Sequence, residues 1–322
     1  MRSLKVSIAA KEFGSTSTMF KTGEDFKLCE KAWDEGMFRN LSPYAIGIHK
    51  PLTENIKLAR MGGFQGVDVD INEVSKVAED KSIEYVKSLF TEEGIKPGGW
   101  WLPFDWRGDK ETYEKGLTKL KHLASIAAKI ECTRALTYIL PFSDDKPFEE
   151  NFKWHVSRLK PIADTLSEHG CLLGLEFIGT ESLRVGHRYL FIYDLNGAIS
   201  LCRALENENV GVLLDSWHWY TSGGTIGDII KLKGKGVVYV HVNDAPANVP
   251  LNKLVDNVRC LPGETGVINL VGFLKALRDI GYNGPVTPEP FSEKVNRMGP
   301  EEAVKVTGEA LKRVWELAGL PP

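Results

Sequence analysis

This chain has no apolar run near the roughly 18 residues that a membrane helix needs. Its opening stretch, Met1 to Ala10, is cut by Lys11-Glu12 before the core of a signal peptide can form. A soluble cytoplasmic protein with no membrane partner is the expectation. Cysteine is sparse: Cys29, Cys132, Cys171, Cys202 and Cys260 are scattered, odd in number and without C-x-x-C spacing. That excludes a disulfide framework and a thiolate zinc site, and it predicts reduced thiols. Dense blocks or stripes of Lys and Arg are also missing, and 40 basic against 43 acidic residues leave a net charge of −3. Nucleic acid is therefore not an expected partner. A Gly-rich phosphate loop after the first strand is lacking too, since Gly62-Gly63-Phe64-Gln65-Gly66 lies between a helix and a strand, which argues against an open doubly wound sheet. Internal repeats, low-complexity tracts and a linker rich in Pro, Gly or Ser are absent, so nothing parts the 322 residues into two domains. Hydrophobic content of 43% with 26% charged residues suffices for a real core.

What the chain does have is a regular alternation of strand and helix signals. Residues 1–43 are irregular, with a loop signal at Gly14-Ser15-Thr16-Ser17-Thr18 and a weak helical pattern from Phe26 to Phe38. They are expected to form an N-terminal extension packed on a main domain of residues 44–322. A strand is predicted from Tyr44 to His49, then a helix from Thr53, a plausible N-cap, to Met61. There follow strand Gln65 to Ile71, helix Glu73 to Phe90, strand Lys96 to Leu102, helix Lys110 to Ala128, strand Ala135 to Leu140 and helix Phe148 to His169. The later helices are placed near Tyr193 to Leu205, Ile226 to Leu232, Leu270 to Ile280 and Pro300 to Leu317. With four more strands between them, eight alternations predict an α/β fold, a single-domain (β/α)8 TIM barrel.

Those four strands carry the chemistry. Cys171 to Glu176, Val210 to Asp215, Val237 to His241 and Gly284 to Glu289 are apolar runs that read as buried parallel strands, each ending in a metal-ligand side chain. A carboxylate or imidazole there is costly unless something needs it. In a parallel barrel all strand ends meet on one rim, so four distant segments deliver Glu176, Asp215, His241 and Glu289 to one place. Three carboxylates and one imidazole form a fairly hard donor set. One divalent cation is expected, manganese first, with magnesium, cobalt or zinc as alternatives.

Leu175-Glu176-Phe177, Leu214-Asp215-Ser216-Trp217-His218, His241-Val242-Asn243-Asp244, Arg259-Cys260-Leu261-Pro262-Gly263-Glu264 and Pro288-Glu289-Pro290 resemble the sugar-phosphate isomerase/epimerase superfamily, the xylose-isomerase-like barrels. The resemblance covers about Tyr44 to Leu317. It implies that Glu176, Asp215, His241 and Glu289 bind the metal, that Glu176 and Glu289 also move protons, and that His218 and Arg259 contact substrate oxygens. The implied activity is a metal-dependent isomerase or epimerase acting on a ketose or related polyhydroxy carbonyl compound through a metal-stabilised enediolate. A lyase on the same scaffold is the alternative, either an inosose-type dehydratase or an enzyme eliminating the aglycone of a 3-oxo glycoside. An endonuclease IV-like phosphodiesterase would need further ligands on the early strands, where only His49 stands. A non-catalytic carbohydrate-binding barrel completes the set, and the chain could pair with itself.

Other rim positions are read on both sides. Glu264 is a catalytic acid or an exposed turn residue, and Asp244 orients a ligand or caps its loop. In Gly98 to Trp106, Trp101 or Trp106 is expected to wall the pocket. Trp217, Trp219 and Tyr220 are sugar-stacking rings or plain core. His49 is a rim histidine with a substrate-binding or structural role, while His122, His155 and His169 lie on helix patterns. Gly179 to Tyr193, long for a βα loop, is expected to supply substrate contacts or a lid.

Overall fold

The computed structural model describes residues 36–232 and 236–322. The predicted extension therefore lies mostly outside the described residues, as does Cys29. The other four cysteines are free. No described helix is long and apolar enough to cross a membrane.

In chain order the strands are β1 (Phe38–Leu41), β2 (Gly66–Val67), β3 (Lys96–Pro97), β4 (Trp100–Trp101), β5 (Arg134–Ile139), β6 (Phe142–Ser143), β7 (Leu172–Phe177), β8 (Tyr189–Leu190), β9 (Val210–Asp215), β10 (Val237–Val242) and β11 (Pro285–Pro288). All except β6 and β8 join one parallel sheet, in the order β3-β2-β1-β11-β10-β9-β7-β5-β4. β3 and β4 are two pieces of one barrel strand. Between them Gly98 N–H donates to the Val67 carbonyl, and Val69 N–H donates to the Gly99 carbonyl. The sheet thus closes on itself as an eight-stranded barrel, the predicted fold. β6 and β8 pair antiparallel outside it.

The helices α1 (Leu52–Met61), α2 (Ile71–Asp80), α3 (Ile83–Glu93), α4 (Lys110–Lys129), α5 (Phe148–Ser167), α6 (Leu195–Ala204), α7 (Ser216–Thr221), α8 (Ile226–Ile230), α9 (Leu270–Asp279), α10 (Glu293–Asn296) and α11 (Pro300–Leu317) follow the strands. Several start on a side-chain cap. Asp70, Ser82, Asp109, Asp194 and Asn269 each accept a backbone N–H from the first turn. Between helices and barrel wall the core is continuous and includes Trp100, Trp106, Phe177, Phe273 and Trp315. A second cluster of Leu136, Leu213, Val238 and Tyr239 is separate from it. Leu213 and Tyr239 sit two residues before Asp215 and His241, so strand alternation turns them into the barrel interior, beneath the rim.

Four expectations need correction. The first strand is Phe38–Leu41, not Tyr44 to His49; Tyr44–Ile46 is a single 3-10 turn. The barrel therefore begins before residue 44. Asn40 hid the strand, because it is polar yet fully buried inside the barrel. Thr53 is not an N-cap: α1 starts at Leu52 after Pro51, with no capping side chain. The expected helix Glu73 to Phe90 is two helices, broken where the Ser82 hydroxyl accepts from Tyr85 N–H. Finally, the strand expected from Lys96 to Leu102 is split at Gly98-Gly99. Cβ atoms there would meet Asn40 Oδ1 at 2.3 Å and Tyr239 Cε2 at 2.7 Å, so only glycine lets the strand pass this crowded interior.

His155 faces the core, against Trp106, Trp154 and Phe191. Its Nδ1–H donates to the Asn151 carbonyl at 2.8 Å. Burial pushes the imidazole down to about 4 from 6.5. The folded state then refuses a proton that the unfolded chain accepts. Stability is undiminished above pH 6.5 and falls as the pH drops towards 4, by roughly 3 kcal/mol in all. His155→Gln is expected to narrow the gap between Tm at about pH 7 and about pH 4.5 by several degrees. An unchanged gap in thermal unfolding would count against this assignment.

Candidate active site

The sheet register brings the site together. His241 lies beside Asp215 on one side and Thr287 on the other, and Glu289 N–H donates to the Val242 carbonyl just past β11. Glu176 is the penultimate residue of β7. One donor atom from each of Glu176, Asp215, His241 and Glu289 lies within 4.8 Å of the others, and all four side chains are buried. His241 Nδ1 is 3.2 Å from Glu176 Oε1 and 3.4 Å from Glu289 Oε2.

The electrostatics of this cluster call for positive charge. Burial alone would lower His241, yet Glu289, Glu176 and Asp215 raise it to about 10. Glu289 is itself raised, chiefly by burial and also by Glu176 and Asp215. Asp215 moves the other way: burial works to raise it, but Arg259, His218 and His241 hold it below the usual carboxylate range. Three carboxylates and an imidazole at one buried point suit a divalent cation in donor type, spacing and charge.

Among the described residues, Arg259 is the one guanidinium in the cluster. Its Nη1 donates to Asp215 Oδ2 at 2.8 Å and to Glu289 Oε2 at 2.9 Å. Nη2 donates to Asp256 Oδ1 at 3.1 Å and Nε to the Asp256 carbonyl at 2.7 Å. Its planar group sits over the Trp217 ring at 5.3 Å and the Phe291 ring at 4.8 Å. Phe291 is held at a φ of 40°, a left-handed conformation that costs a bulky residue about 1 kcal/mol or more.

Asp215 also starts α7, accepting from Trp217 N–H at 2.8 Å, and this short helix sets His218 one turn beyond, as the sequence suggests. Gly179 N–H donates to His218 Nδ1 at 3.2 Å, and His218 Nε2 lies 3.4 Å from Arg259 Nη2. The same Nε2 is 3.7 Å from Asp256 Oδ1 and 3.8 Å from Asp215 Oδ2. A Cβ on Gly179 would stand 2.2 Å from the His218 carbonyl oxygen, so this approach requires glycine.

A cavity of about 390 Å³ opens above the cluster. Its inner lining includes Glu176, Glu289, His218, Arg259 and Asp256, and its outer lining includes Tyr44, Trp101, Tyr138, Leu140, Phe142 and Leu183. Trp101 thus faces the cavity, with its ring 6.2 Å from His241. Trp106 does not: it is buried, and its indole N–H donates to Thr137. Two expected substrate contacts fall outside the lining. His49 is exposed and leans edge-on against Tyr44, because the strand meant to carry it is a turn. Glu264 is exposed and accepts from Leu261 N–H at 2.9 Å, closing its own turn. Asp244 is a loop organiser, accepting from the N–H groups of Ala245, Thr265, Gly266 and Ile268. Trp217 and Trp219 are buried core rings, and Leu183 brings the long loop after β7 to the cavity.

Sequence reasoning missed several partners. Asp256 lies in an irregular stretch with no period to mark it. Asn243 donates to Asp215 Oδ1 at 2.9 Å and fixes that carboxylate. Below the cluster, Asn40 donates to Asp68, Tyr239 and Thr287 at 2.9 to 3.0 Å, and Tyr239 donates to Asp68 at 2.6 Å. Tyr239 and Thr287 stand two residues before His241 and Glu289, a spacing that marks them as pointing inward.

With this geometry in view, comparison with known proteins defines the class. The description "Xylose isomerase-like TIM barrel" matches residues 56–314, and the chain belongs to that family. It is similar to inosose isomerase of Bacillus velezensis, 24% identical over 269 residues, covering 82% of this chain and 91% of that one. A solved xylose isomerase domain protein from Alicyclobacillus acidocaldarius superposes with a TM-score of 0.79 at 29% identity, covering 88% of this chain and all of that one. The IolI protein, solved with a zinc atom bound, shares the fold with a TM-score of 0.71 at 21% identity, covering 88% of this chain and 98% of that one. Inosose isomerase and a D-psicose 3-epimerase of Ruminiclostridium cellulolyticum are among its relatives, and the chain is an enzyme of the same family.

Removing the Asn243 amide takes away one of the three bonds that hold the Asp215 carboxylate, leaving those from Trp217 N–H and Arg259. Asn243→Ala is expected to weaken divalent-cation binding by roughly 10- to 100-fold, read by titration against a metal-sensitive chelator. Affinity equal to wild type would show that Asp215 is not held for an ion.

Proposed function

We propose that the chain is a divalent-metal-dependent isomerase or epimerase acting on a ketose or a related polyhydroxy carbonyl compound. One observation carries the reading. Of the four clustered residues, Glu176 and Glu289 line the cavity, while Asp215 and His241 are not part of its lining. All four would hold the ion, manganese first for this donor set, with magnesium, cobalt or zinc as alternatives. A bound dication would polarise the substrate carbonyl and stabilise the charge that develops as a neighbouring proton departs.

The remaining work falls to side chains. Glu176 and Glu289 reach the cavity from different strands, so one takes the carbon-bound proton and the other returns one. Return to the opposite face inverts the carbon, and return to the adjacent carbon exchanges aldose and ketose. His218, its ring held by Gly179, and Arg259 together contact a substrate oxygen at the inner end of the cavity. Arg259 fixes Asp215 and Glu289 and keeps a positive charge at the reacting end of the cavity.

The test is a screen of ketoses and inososes in deuterated water with the metal-loaded enzyme. Label is expected in a product of unchanged composition, and Glu176→Gln and Glu289→Gln are each expected to lower kcat by roughly 100-fold or more. Chelation is expected to abolish turnover, with recovery on adding back manganese. Release of water or of an aglycone would make the enzyme a lyase instead. Full activity in Glu289→Gln would remove the mechanism.

A further inference from the structure

The cavity has two chemically different ends. Hydrogen-bonding groups gather at the inner one, where Glu176, Glu289, His218, Asp256 and Arg259 converge. Asp256 Oδ1 is engaged by Thr180 and Arg259, and the residue still lines the cavity. The outer end is different. Apart from Ser42, the tyrosine hydroxyls and the Trp101 indole N–H, its lining is aliphatic and aromatic. Several of these groups stay open to solvent, Tyr44 at 74% and Tyr138 at 42%, with Leu140 and Leu183 also exposed. A contiguous exposed apolar patch continuous with a buried polar site marks a binding surface.

This outer wall is built rather than loose. Phe142 belongs to the β6–β8 pair, which joins the segment after β5 to the long loop after β7. The Phe142 ring stacks on His187 with centroids 3.3 Å apart. Asp144 pins the turn, its Oδ2 at 2.9 Å from His187 Nδ1 and its Oδ1 accepting from Arg188 N–H.

A free sugar carries a hydroxyl on nearly every carbon. Each hydroxyl turned toward Leu140, Ile178 or Leu183 would lose water without gaining a partner. We propose that the substrate is a sugar or cyclitol ring bearing a flat apolar substituent, its polyhydroxy carbonyl part held against the glutamates and its substituent against Tyr138, Leu140, Phe142 and Leu183. The proposal rests on the reading of the inner end as a polyhydroxy-carbonyl site, and it narrows the substrate class.

The test is calorimetric titration of the full chain, loaded with manganese, with phenyl β-D-glucopyranoside and with methyl β-D-glucopyranoside. The phenyl compound is expected to bind roughly tenfold or more tightly, because its ring adds buried apolar and aromatic contact. In the double variant Leu140→Ser, Leu183→Ser that ratio is expected to fall towards one, with circular dichroism reporting the fold. Equal binding of the two glycosides by wild type, including no binding of either, overturns the proposal, and so does a ratio unchanged in the variant. A wild-type dimer that the same variant converts to monomer would assign the wall to a second copy of the chain and overturn it as well. Binding is read without turnover, so failure of the deuterium assay leaves this result interpretable. Failure here likewise leaves the proton-transfer chemistry standing.

Discussion

Glu176, Asp215 and Glu289 bring three carboxylates into a space where, among the described residues, Arg259 supplies the one guanidinium. Asp256 also pairs with Arg259, so four carboxylates stand against one guanidinium, a deficit of positive charge that a divalent cation would largely offset. Taking carboxylates out of water costs several kcal/mol each unless they are compensated, and without an ion the cluster draws a proton instead, with His241 raised to about 10. The same deficit explains the pull on Arg259, whose Nη1 reaches two of the three carboxylates at once. Much of the upper barrel is arranged to hold these groups in place.

That arrangement runs through several elements. The β9–β10 register sets His241 next to Asp215, and Asn243 together with the first turn of α7 locks the Asp215 carboxylate. His218 takes its orientation from the same short helix and from Gly179. Under the cluster, Asn40, Asp68, Tyr239 and Thr287 form a polar floor that the chain between β3 and β4 can pass only as Gly98-Gly99. Asp68 is raised chiefly by burial, against the bonds from Tyr239 and Asn40.

The parts that could be read from the chain are those where a buried strand ends in one polar residue. β7, β9 and β10 are apolar until Glu176, Asp215 and His241, and that contrast survives any error in helix boundaries. His218 was legible because it lies three residues after Asp215 at a helix start. Other features left no such trace. β1 has Asn40 in its middle, a residue whose amide donates to side chains 28, 199 and 247 positions away, so the more apolar segment after it looked like the strand. The α2–α3 break at Ser82 falls within a continuous helical pattern. Rim placement alone does not give side-chain direction, and so His49 and Glu264 stood as substrate contacts although each turns to local partners. Asp256 belongs to an irregular loop, where only the folded chain brings it to Arg259.

The most direct test of the charge argument is anomalous diffraction from crystals of the protein soaked in manganese. A single strong peak is expected within roughly 2.0–2.3 Å of donor atoms from all four of Glu176, Asp215, His241 and Glu289. A peak held by fewer of them, or by other residues, or no peak at a saturating manganese concentration, would contradict the account.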